Sequence, residues 1–257
     1  NILITGCSGF IGTYLINTLL HKDLKKKIKI YGLDIIRPNL FINKSSQFKF
    51  IKRDLFNIKS FSMKQSLDLI IHLAGIPSPT YYKLQPLKTF YLNSELTKIF
   101  LEFSKKKKCK FVFFSSSEIY GNPDKKNIPT KEDYEGRVSS VGDRSCYDES
   151  KRMGETFTYI YKNKFNLDAK IIRPFNFYGD LMKKNDERII PKFFYQSLNK
   201  KNITIYSDGK QTRSYCHIFD ATVMILLIIF KGKKFVYNIG NPDEEINAEK
   251  IANKIKK

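Results

Sequence analysis

A tyrosine and a lysine four residues apart are the residues most clearly able to do chemistry. They bound the segment Tyr147-Asp148-Glu149-Ser150-Lys151, and this spacing places them on one face of a helix. A free tyrosine loses its proton only near pH ~10 and is a poor base at neutral pH. A neighbouring positive charge favours the phenolate and lowers the tyrosine pKa. The pair therefore predicts a general base that removes a proton from a hydroxyl group.

A glycine-rich turn near the start of the chain is the second chemical feature. An apolar run at residues 1–5 leads into this turn, and a helical pattern follows it. The first glycine permits a sharp turn, the second lets the backbone approach a pyrophosphate, and the third lets helix and strand pack closely. The helix start adds free N–H groups and a positive dipole end. We predict a dinucleotide site formed by Gly6, Gly9, Phe10, Ile11 and Gly12.

A carboxylate at the end of the second strand suggests which dinucleotide binds. Asp34 follows Gly12 by 22 residues, where an acidic side chain accepts hydrogen bonds from a ribose. Its charge would repel a 2′-phosphate, so NAD is favoured over NADP. Arg37 is the one feature that favours NADP.

The region between the turn and the tyrosine contains a strand that ends in three serines. Ser115-Ser116-Ser117 is followed by Glu118, about 30 residues before Tyr147. Because the glycine-rich turn and this strand precede them, a catalytic role for Tyr147 and Lys151 is favoured over a pair on the surface of a helix.

Strand and helix patterns alternate along the chain. Strands are predicted at residues 1–5, 28–33, 48–51, 67–73, 110–115, 169–173, 203–206, 215–219 and 235–239, and helices at 11–20, 87–103, 146–161, 190–198, 221–230 and from 247. This alternation predicts an α/β fold with a Rossmann-type, doubly wound parallel sheet. Residues 1–174 would form the NAD-binding domain. Residues 175–257 would form a smaller substrate-binding region that is interleaved with the first and truncated at its C-terminus.

Composition excludes several classes of protein. The chain carries 46 Lys+Arg and 25 Asp+Glu, a net charge of +21, but lysine runs such as 25–27 and 105–108 fall at expected helix ends, where cations are favourable. A solvated surface is therefore favoured over a specific nucleic-acid partner. Four scattered cysteines suggest free thiols, with no disulfide framework and no metal site. A membrane-spanning helix needs about 20 apolar residues, and the apolar run 223–230 is shorter than that. We expect a cytoplasmic protein without a signal peptide.

The glycine spacing GxxGxxG, with the tyrosine and lysine pair, resembles the extended branch of the short-chain dehydrogenase/reductase superfamily. Two further segments share the resemblance, Arg53-Asp54-Leu55 and His72-Leu73-Ala74-Gly75. The resemblance implies that Asp54 and Leu55 contact the adenosine and that Leu73 and Ala74 line the cofactor. It also implies that Tyr147 and Lys151 contact NAD. An alternative for Asp54 is a helix cap.

A closer resemblance is to the UDP-glucuronate decarboxylase family. It rests on Ser117-Glu118, the loop 74–82, the catalytic segment 142–152, the motif Arg173-Pro174-Phe175-Asn176-Phe177-Tyr178-Gly179, and the segments 186–188, 208–215 and 238–242. The resemblance implies that Ser116, Glu118, Tyr147 and Lys151 are catalytic. It implies substrate contacts by Tyr82, Ser117, Asn176, Arg188 and Arg213. This chain departs from the family at Ser116, where threonine is common, and at Arg188, which follows Glu187 where glycine is usual.

The chemistry implied by this resemblance begins with oxidation at C4 of a UDP-sugar. Tyr147 would take the hydroxyl proton while NAD accepts the hydride, and the 4-keto sugar would then lose its C5 carboxylate as carbon dioxide. Glu118 and Arg213 would steer the carboxylate, although Arg213 could instead hold phosphate. The product would be UDP-xylose or the 4-keto pentose. A nucleotide-sugar 4-epimerase or 4,6-dehydratase, a non-catalytic nucleotide- or nucleic-acid-binding module, and a redox-sensing regulator remain as alternatives.

We also expect a homodimer. The helices predicted at residues 87–103 and 146–161 carry apolar residues around more than one face. One face must pack on the sheet, and the other needs a partner. Extended members of the superfamily pair these two helices across a two-fold axis.

Overall fold

A seven-stranded parallel sheet forms the centre of the protein. The computed structural model describes residues 1–21, 28–40, 45–183, 186–205 and 208–256, so the lysine run 25–27 and Tyr206 lie outside the described residues. The strands are β1 (Ile2–Thr5), β2 (Ile30–Asp34), β3 (Phe48–Lys52), β4 (Leu69–His72), β5 (Lys110–Phe114), β6 (Ala169–Pro174), β7 (Asn176–Tyr178), β8 (Thr212–His217), β9 (Val236–Ile239) and β10 (Glu245–Asn247). The large sheet has the order β3-β2-β1-β4-β5-β6-β9. All its neighbouring strands are parallel, which confirms the predicted fold class.

Helices cover both faces of this sheet. They are α1 (Phe10–Leu19), α2 (Pro79–Leu84), α3 (Pro86–Asn93), α4 (Glu95–Lys107), α5 (Ser145–Phe165), α6 (Ile189–Leu198), α7 (Ile218–Lys231) and α8 (Ala248–Lys256). Successive residues of a strand point to opposite faces. Ile2 and Ile4 therefore pack with α1 and α7, whereas Leu3 packs with α4 and α5. Both faces of β1 are buried, which explains its continuous apolar sequence.

The strand order reverses between β1 and β4. From β1 the chain continues outward to β2 and β3, and from β4 it continues the other way to β5 and β6. In open α/β sheets the crevice at such a reversal, beyond the carboxyl ends of the strands, is where ligands bind. The glycine-rich turn follows β1 and the loop 73–78 follows β4, so both border this crevice.

The chain after residue 174 contributes to two sheets. Strand β9 joins the large sheet next to β6, and α7 packs on the large sheet together with α1. Strands β7, β8 and β10 form a separate small sheet. Phe193 of α6 and Ile251 of α8 share an apolar cluster with Ile246. This arrangement places the small sheet beside the carboxyl end of β6, which leads directly into β7.

Several predicted elements differ from the structure. The helix expected at 87–103 is interrupted at Ser94, whose φ of −111° and ψ of −79° separate α3 from α4, and whose hydroxyl donates to the Phe90 carbonyl at 2.6 Å. The strand expected at 203–206 was wrong for residues 203–205, because Ile203 and Ile205 are held by side-chain packing. The short strands β7 and β10 were not predicted.

A close approach at Gly154 fixes α5 against its neighbours. A Cβ atom at this position would lie 2.4 Å from the Phe113 ring and 2.6 Å from the Asn93 carbonyl oxygen. The contact brings α5 against both β5 and α3.

We predict that Gly154→Ala lowers the free energy of unfolding by about 1–3 kcal/mol, because overpacking outweighs the better helix propensity of alanine. The measurement is urea unfolding. Thr156→Ala, at an exposed position of the same helix, is the matched control and should stay within about 0.5 kcal/mol of the wild type. Equal or greater stability of Gly154→Ala would contradict the packing argument.

Candidate active site

Ser116, Tyr147 and Lys151 come together where β5 ends beside α5. Ser116 precedes a short 3-10 helix at Ser117–Tyr120, and its Oγ accepts a hydrogen bond from the Glu118 N–H at 3.2 Å. The Ser116 side chain also hydrogen-bonds Tyr147. Lys151 donates from Nζ to the Phe114 carbonyl at 2.7 Å, and this Nζ lies 5.9 Å from the centre of the Tyr147 ring.

Burial dominates the electrostatics of this group. It raises the pKa of Tyr147 to about 12, although the hydrogen bond from Ser116 opposes this rise. Burial also lowers the pKa of Lys151 to about 7, against the opposing effect of Glu155. The sequence-based expectation, that a nearby ammonium and the positively charged nicotinamide lower the tyrosine pKa, concerns the protein with NAD, whereas the protein's own surroundings raise this pKa. The cause is that desolvation penalises the charged form of both side chains.

Tyr82 covers one face of Tyr147, the predicted base. It lies in α2 and is buried, and its ring stacks on that of Tyr147 with the centroids 5.3 Å apart and the planes at 15°. Stacking of this kind excludes water from the phenol while leaving its hydroxyl end to Ser116. The predicted substrate residue Tyr82 is thus part of the same group as the predicted base.

Glu118 is paired with an arginine that the sequence analysis did not select. Arg144, the residue before α5, forms a salt bridge with Glu118, and its Nε lies 3.4 Å from Asp148 Oδ2. The sequence contained one feature that could have identified Arg144, which is its position just before a predicted helix. A cation at a helix N-terminus is unfavourable to the helix dipole, so its presence there needs an acidic partner.

Two buried polar residues behind the site were also missed. The Asn93 Nδ2 donates to Ser150 Oγ at 3.0 Å, and Ser150 Oγ donates to the Tyr147 carbonyl at 2.9 Å. Asn93 and Ser150 are fully buried. Their bonds join the end of α3 to the turn of α5 that carries Tyr147. A polar residue on the apolar face of a helix is the sequence signal for such a link.

The glycine-rich turn has the shape of a dinucleotide cradle. Gly6 has a φ of +67°, and a Cβ there would lie 2.8 Å from the Ala74 nitrogen. At Gly12 a Cβ would lie 2.7 Å from the Gly6 carbonyl oxygen. Gly9 is the N-cap of α1 and provides no side-chain cap, and Phe10 and Ile11 form the first turn. The N–H groups at the start of this helix therefore face the crevice without a competing side chain.

Asp34 lies beside this turn. One carboxylate oxygen accepts from the Ser8 N–H at 2.9 Å and the other from the Ile35 N–H at 2.7 Å. A carboxylate has about four acceptor positions, so Asp34 keeps capacity for ribose hydroxyl groups. Together with the cradle, this donor and acceptor set fits NAD.

The other predicted cofactor residues have mixed surroundings. The Ala74 N–H donates to Thr5 Oγ1 at 3.3 Å, which fixes the Leu73-Ala74 loop against β1. Asp54 accepts from the Phe56 N–H at 2.9 Å, so it stabilises a turn, and Leu55 is buried in the core. The alternative that Asp54 caps a helix is wrong, because a turn follows it and the next helix of the described residues is α2.

His72 is a buried histidine that the sequence analysis left without a role. Its Nδ1 lies 2.7 Å from Thr5 Oγ1. Burial, with a smaller contribution from Lys151, lowers its pKa to about 3. The neutral imidazole therefore links β4 to β1 at the point where the strand order reverses.

The remaining predicted substrate residues lie at the small sheet or beside it. Asn176 donates from Nδ2 to the Ser214 carbonyl at 3.2 Å and so joins β7 to β8. Arg188 pairs with Asp186, with its Nε 2.9 Å from Oδ1. Arg213 donates to the Thr212 carbonyl at 2.9 Å. Ser117 begins the 3-10 helix next to Ser116. Within the part of the chain that the structure describes, no hydrogen bond or salt bridge joins Arg188 or Arg213 to Glu118 or Tyr147.

Comparisons with known proteins identify relatives of this chain. The profile of the family described as "NAD dependent epimerase/dehydratase family" matches residues 2–240. UDP-glucuronic acid decarboxylases 1 and 6 of Arabidopsis thaliana are each 34% identical to the chain over 95% of its length. The chain spans 55% of the length of the first and 70% of the second. Within the described residues, no helix combines the length and apolar character needed to cross a membrane.

Solved structures give the same result at the level of the fold. A UDP-N-acetylglucosamine 4-epimerase from Methanobrevibacter ruminantium has a TM-score of 0.86 and 25% identity, and the match covers 98% of this chain and 80% of the other. A UDP-glucuronic acid 4-epimerase from Bacillus cereus, in complex with UDP-glucuronic acid and NAD, has a TM-score of 0.81 and 27% identity, with coverage of 99% and 82%.

The buried lysine predicts a pH dependence of stability. The folded pKa of Lys151 is about 7, whereas its ordinary value is 10.5. Between these values the unfolded chain holds a proton that the folded protein does not, so this lysine makes the free energy of unfolding rise with pH. We predict that wild type gains stability relative to Lys151→Met from about pH 7 to about pH 9, by at most about 1.4 kcal/mol per pH unit.

Urea unfolding of both proteins across this range provides the measurement. Lys164→Met, at an exposed position of α5, is the control for removing a lysine from the same helix. A stability difference between wild type and Lys151→Met that stays constant with pH would refute the proposed deprotonation.

Proposed function

Because the chain belongs to the NAD dependent epimerase/dehydratase family, we propose that it decarboxylates UDP-glucuronate through a 4-keto intermediate, to UDP-xylose or the 4-keto pentose. Membership confirms the prediction of NAD as the cofactor. The similar decarboxylases and the UDP-sugar complexes of the solved structures support a nucleotide sugar as the substrate. The observation that carries the proposal is the position of Glu118, whose N–H donates to Ser116 Oγ at 3.2 Å and whose carboxylate pairs with Arg144 at the start of the helix that carries Tyr147. The similar Arabidopsis thaliana decarboxylases support the same reaction.

Tyr147 acts as the base for the C4 hydroxyl. Ser116 holds the same hydroxyl, because its own hydroxyl already hydrogen-bonds Tyr147. The pKa of about 12 that the protein gives Tyr147 means that a positive charge must favour the phenolate during proton transfer. NAD, when bound, supplies an acceptor for the two electrons removed at C4 and a positively charged ring. The buried amine of Lys151, fixed by the Phe114 carbonyl, completes the polar surroundings.

Decarboxylation then follows from the position of the ketone. The C5 carboxylate lies beta to the new C4 carbonyl, so loss of carbon dioxide leaves an enolate that the carbonyl stabilises. Glu118 steers the carboxylate and the reprotonation at C5. Tyr82, Ser117 and Asn176 bind the sugar, and Arg188 and Arg213 bind the anionic groups of the substrate.

A 4-epimerase is the second candidate. It is favoured by the solved UDP-glucuronic acid 4-epimerase, which shares the fold and is 27% identical, and a 4,6-dehydratase would use the same first step. Both chemistries need only the oxidation site formed by Ser116, Tyr147 and Lys151. A non-catalytic nucleotide- or nucleic-acid-binding module would have no need for these residues to be buried together.

We predict that the protein with NAD releases carbon dioxide from UDP-glucuronate and that Tyr147→Phe lowers the rate by at least about 100-fold, as expected for loss of a general base. Carbon dioxide release and product analysis by chromatography are the measurements. Tyr159→Phe, at an exposed position of α5, is the matched control and should leave the rate unchanged. Formation of the C4 epimer without carbon dioxide would establish the second candidate instead.

We also propose a homodimer formed by α3 and α5. Leu87 of α3 is 83% exposed, and Tyr159 and Ile160 of α5 are 58% and 39% exposed. These apolar side chains lie on helices whose other faces pack on the protein, so a second copy would cover them. The helices would then form a four-helix bundle across the two-fold axis.

Sedimentation at micromolar concentration is predicted to give a dimer for the wild type and a monomer for Leu87→Glu combined with Ile160→Lys, because charges on both helices oppose burial of this surface. Leu227→Glu, at a half-exposed position of α7, should remain dimeric. A monomeric wild type would rule out the dimer.

A further inference from the structure

Arg144 is shared by two carboxylates at the start of α5. It pairs with Glu118 through NH2 and approaches Asp148 through Nε at 3.4 Å. Its guanidinium side chain is 47% exposed, whereas that of Asp148 is 9% exposed. A cation at a helix N-terminus is unfavourable to the helix dipole, so the helix itself does not stabilise Arg144 at this position. The two acidic partners stabilise it instead.

The two carboxylates both act on the proposed base. Glu118 and Asp148 each raise the pKa of Tyr147, because a negative charge disfavours the phenolate. Burial raises the pKa of Asp148, and Arg144 opposes this rise. Among the described residues, no donor reaches the buried Asp148 Oδ1. Arg144 is therefore the charge that offsets an otherwise uncompensated carboxylate.

This charge balance matters most for an anionic sugar. Glu118, Asp148 and Arg144 together carry one net negative charge, and loss of the guanidinium would leave two. A sugar that brings its own carboxylate next to Ser116 and Tyr147 would then meet two unopposed negative charges. A neutral hexose would be little affected.

We propose that Arg144 is a positioning residue that pairs with Glu118 and Asp148 and thereby allows the site to accept a sugar that carries a carboxylate. This inference rests on the proposed function, since it takes C4 oxidation of a UDP-sugar at Tyr147 as its starting point. Under this proposal, residues at the start of α5 distinguish UDP-uronates from UDP-hexoses, and side chains of the small sheet can add further contacts to the substrate.

The stability effect of Arg144 is separable from the proposed role. The pair of Arg144 with Glu118, at 47% and 33% exposure, contributes little to stability, whereas loss of the charge beside the 9% exposed Asp148 lowers it. Lower stability slows the reaction of both sugars alike, whereas the proposed role changes their ratio. The pair of Arg137 with Asp124, at 2.6 Å and also exposed, is a matched surface pair. Arg137→Gln therefore controls for the loss of one arginine and one salt bridge.

The experiment compares NADH formation in a single turnover with UDP-glucuronate and with UDP-glucose. The proteins are wild type, Arg144→Gln, Arg144→Lys, Arg137→Gln, Glu118→Gln and the double variant Arg144→Gln/Glu118→Gln. The quantity of interest is the ratio of the two second-order rate constants, which folding defects alone do not change. Urea unfolding of each variant checks its stability.

Arg144→Gln should lower the glucuronate-to-glucose ratio by roughly tenfold to a hundredfold, the scale of one charge-assisted contact. Arg144→Lys should give an intermediate ratio, and Arg137→Gln should match wild type. The double variant should recover part of the ratio, because it restores one net negative charge. Equal losses on both sugars, or no recovery in the double variant, would overturn the charge-balance role.

Failure of the proposed function has a different signature. If the wild type forms NADH from UDP-glucuronate but releases no carbon dioxide, decarboxylation is refuted. The glucuronate-to-glucose ratio of rate constants then still tests the role of Arg144. Wild type that oxidises UDP-glucose but not UDP-glucuronate would refute both, because no carboxylate would then be accepted.

Discussion

Burial of a tyrosine and a lysine on one helix is the constraint on which the site depends. Without water, neither Tyr147 nor Lys151 is easily charged, and burial moves their pKa values apart, to about 12 for the tyrosine and about 7 for the lysine. Each group is then poised to exchange a proton only when a suitable charge or hydrogen-bond partner is added. The close approach of α5 to β5 and α3 at Gly154 makes this burial possible.

The position of the glycine-rich turn follows from the order of the strands. Because the order reverses between β1 and β4, the turn after β1 and the loop after β4 meet at one edge of the sheet. Gly6 has to be a glycine for two reasons, its positive φ and the approach of the Ala74 backbone. The same crevice leads along the sheet to Ser116 at the end of β5. The predicted cofactor and catalytic residues therefore border one continuous edge.

Charge is balanced locally at this edge. The chain as a whole has a net charge of +21, yet the surroundings of Tyr147 include two carboxylates and one guanidinium. The overall lysine excess therefore says little about the substrate, because exposed lysines are screened by solvent and salt. Partly buried charges such as Asp148 act on Tyr147 over short distances and with less screening.

The sequence by itself determined the fold class, the glycine cradle and the pairing of Tyr147 with Lys151, because each depends on local spacing along a strand, a turn or a helix. Only the tertiary structure decided which way the pKa values shift, because desolvation depends on residues distant in the chain. It also decided that Arg144 contacts Glu118, 26 residues away in the chain. The strands β7 and β10 are too short to show an alternation of polar and apolar residues, so only the structure reveals the small sheet. The break at Ser94 belongs here as well, because packing of α3 and α4 overrides a continuous helical pattern.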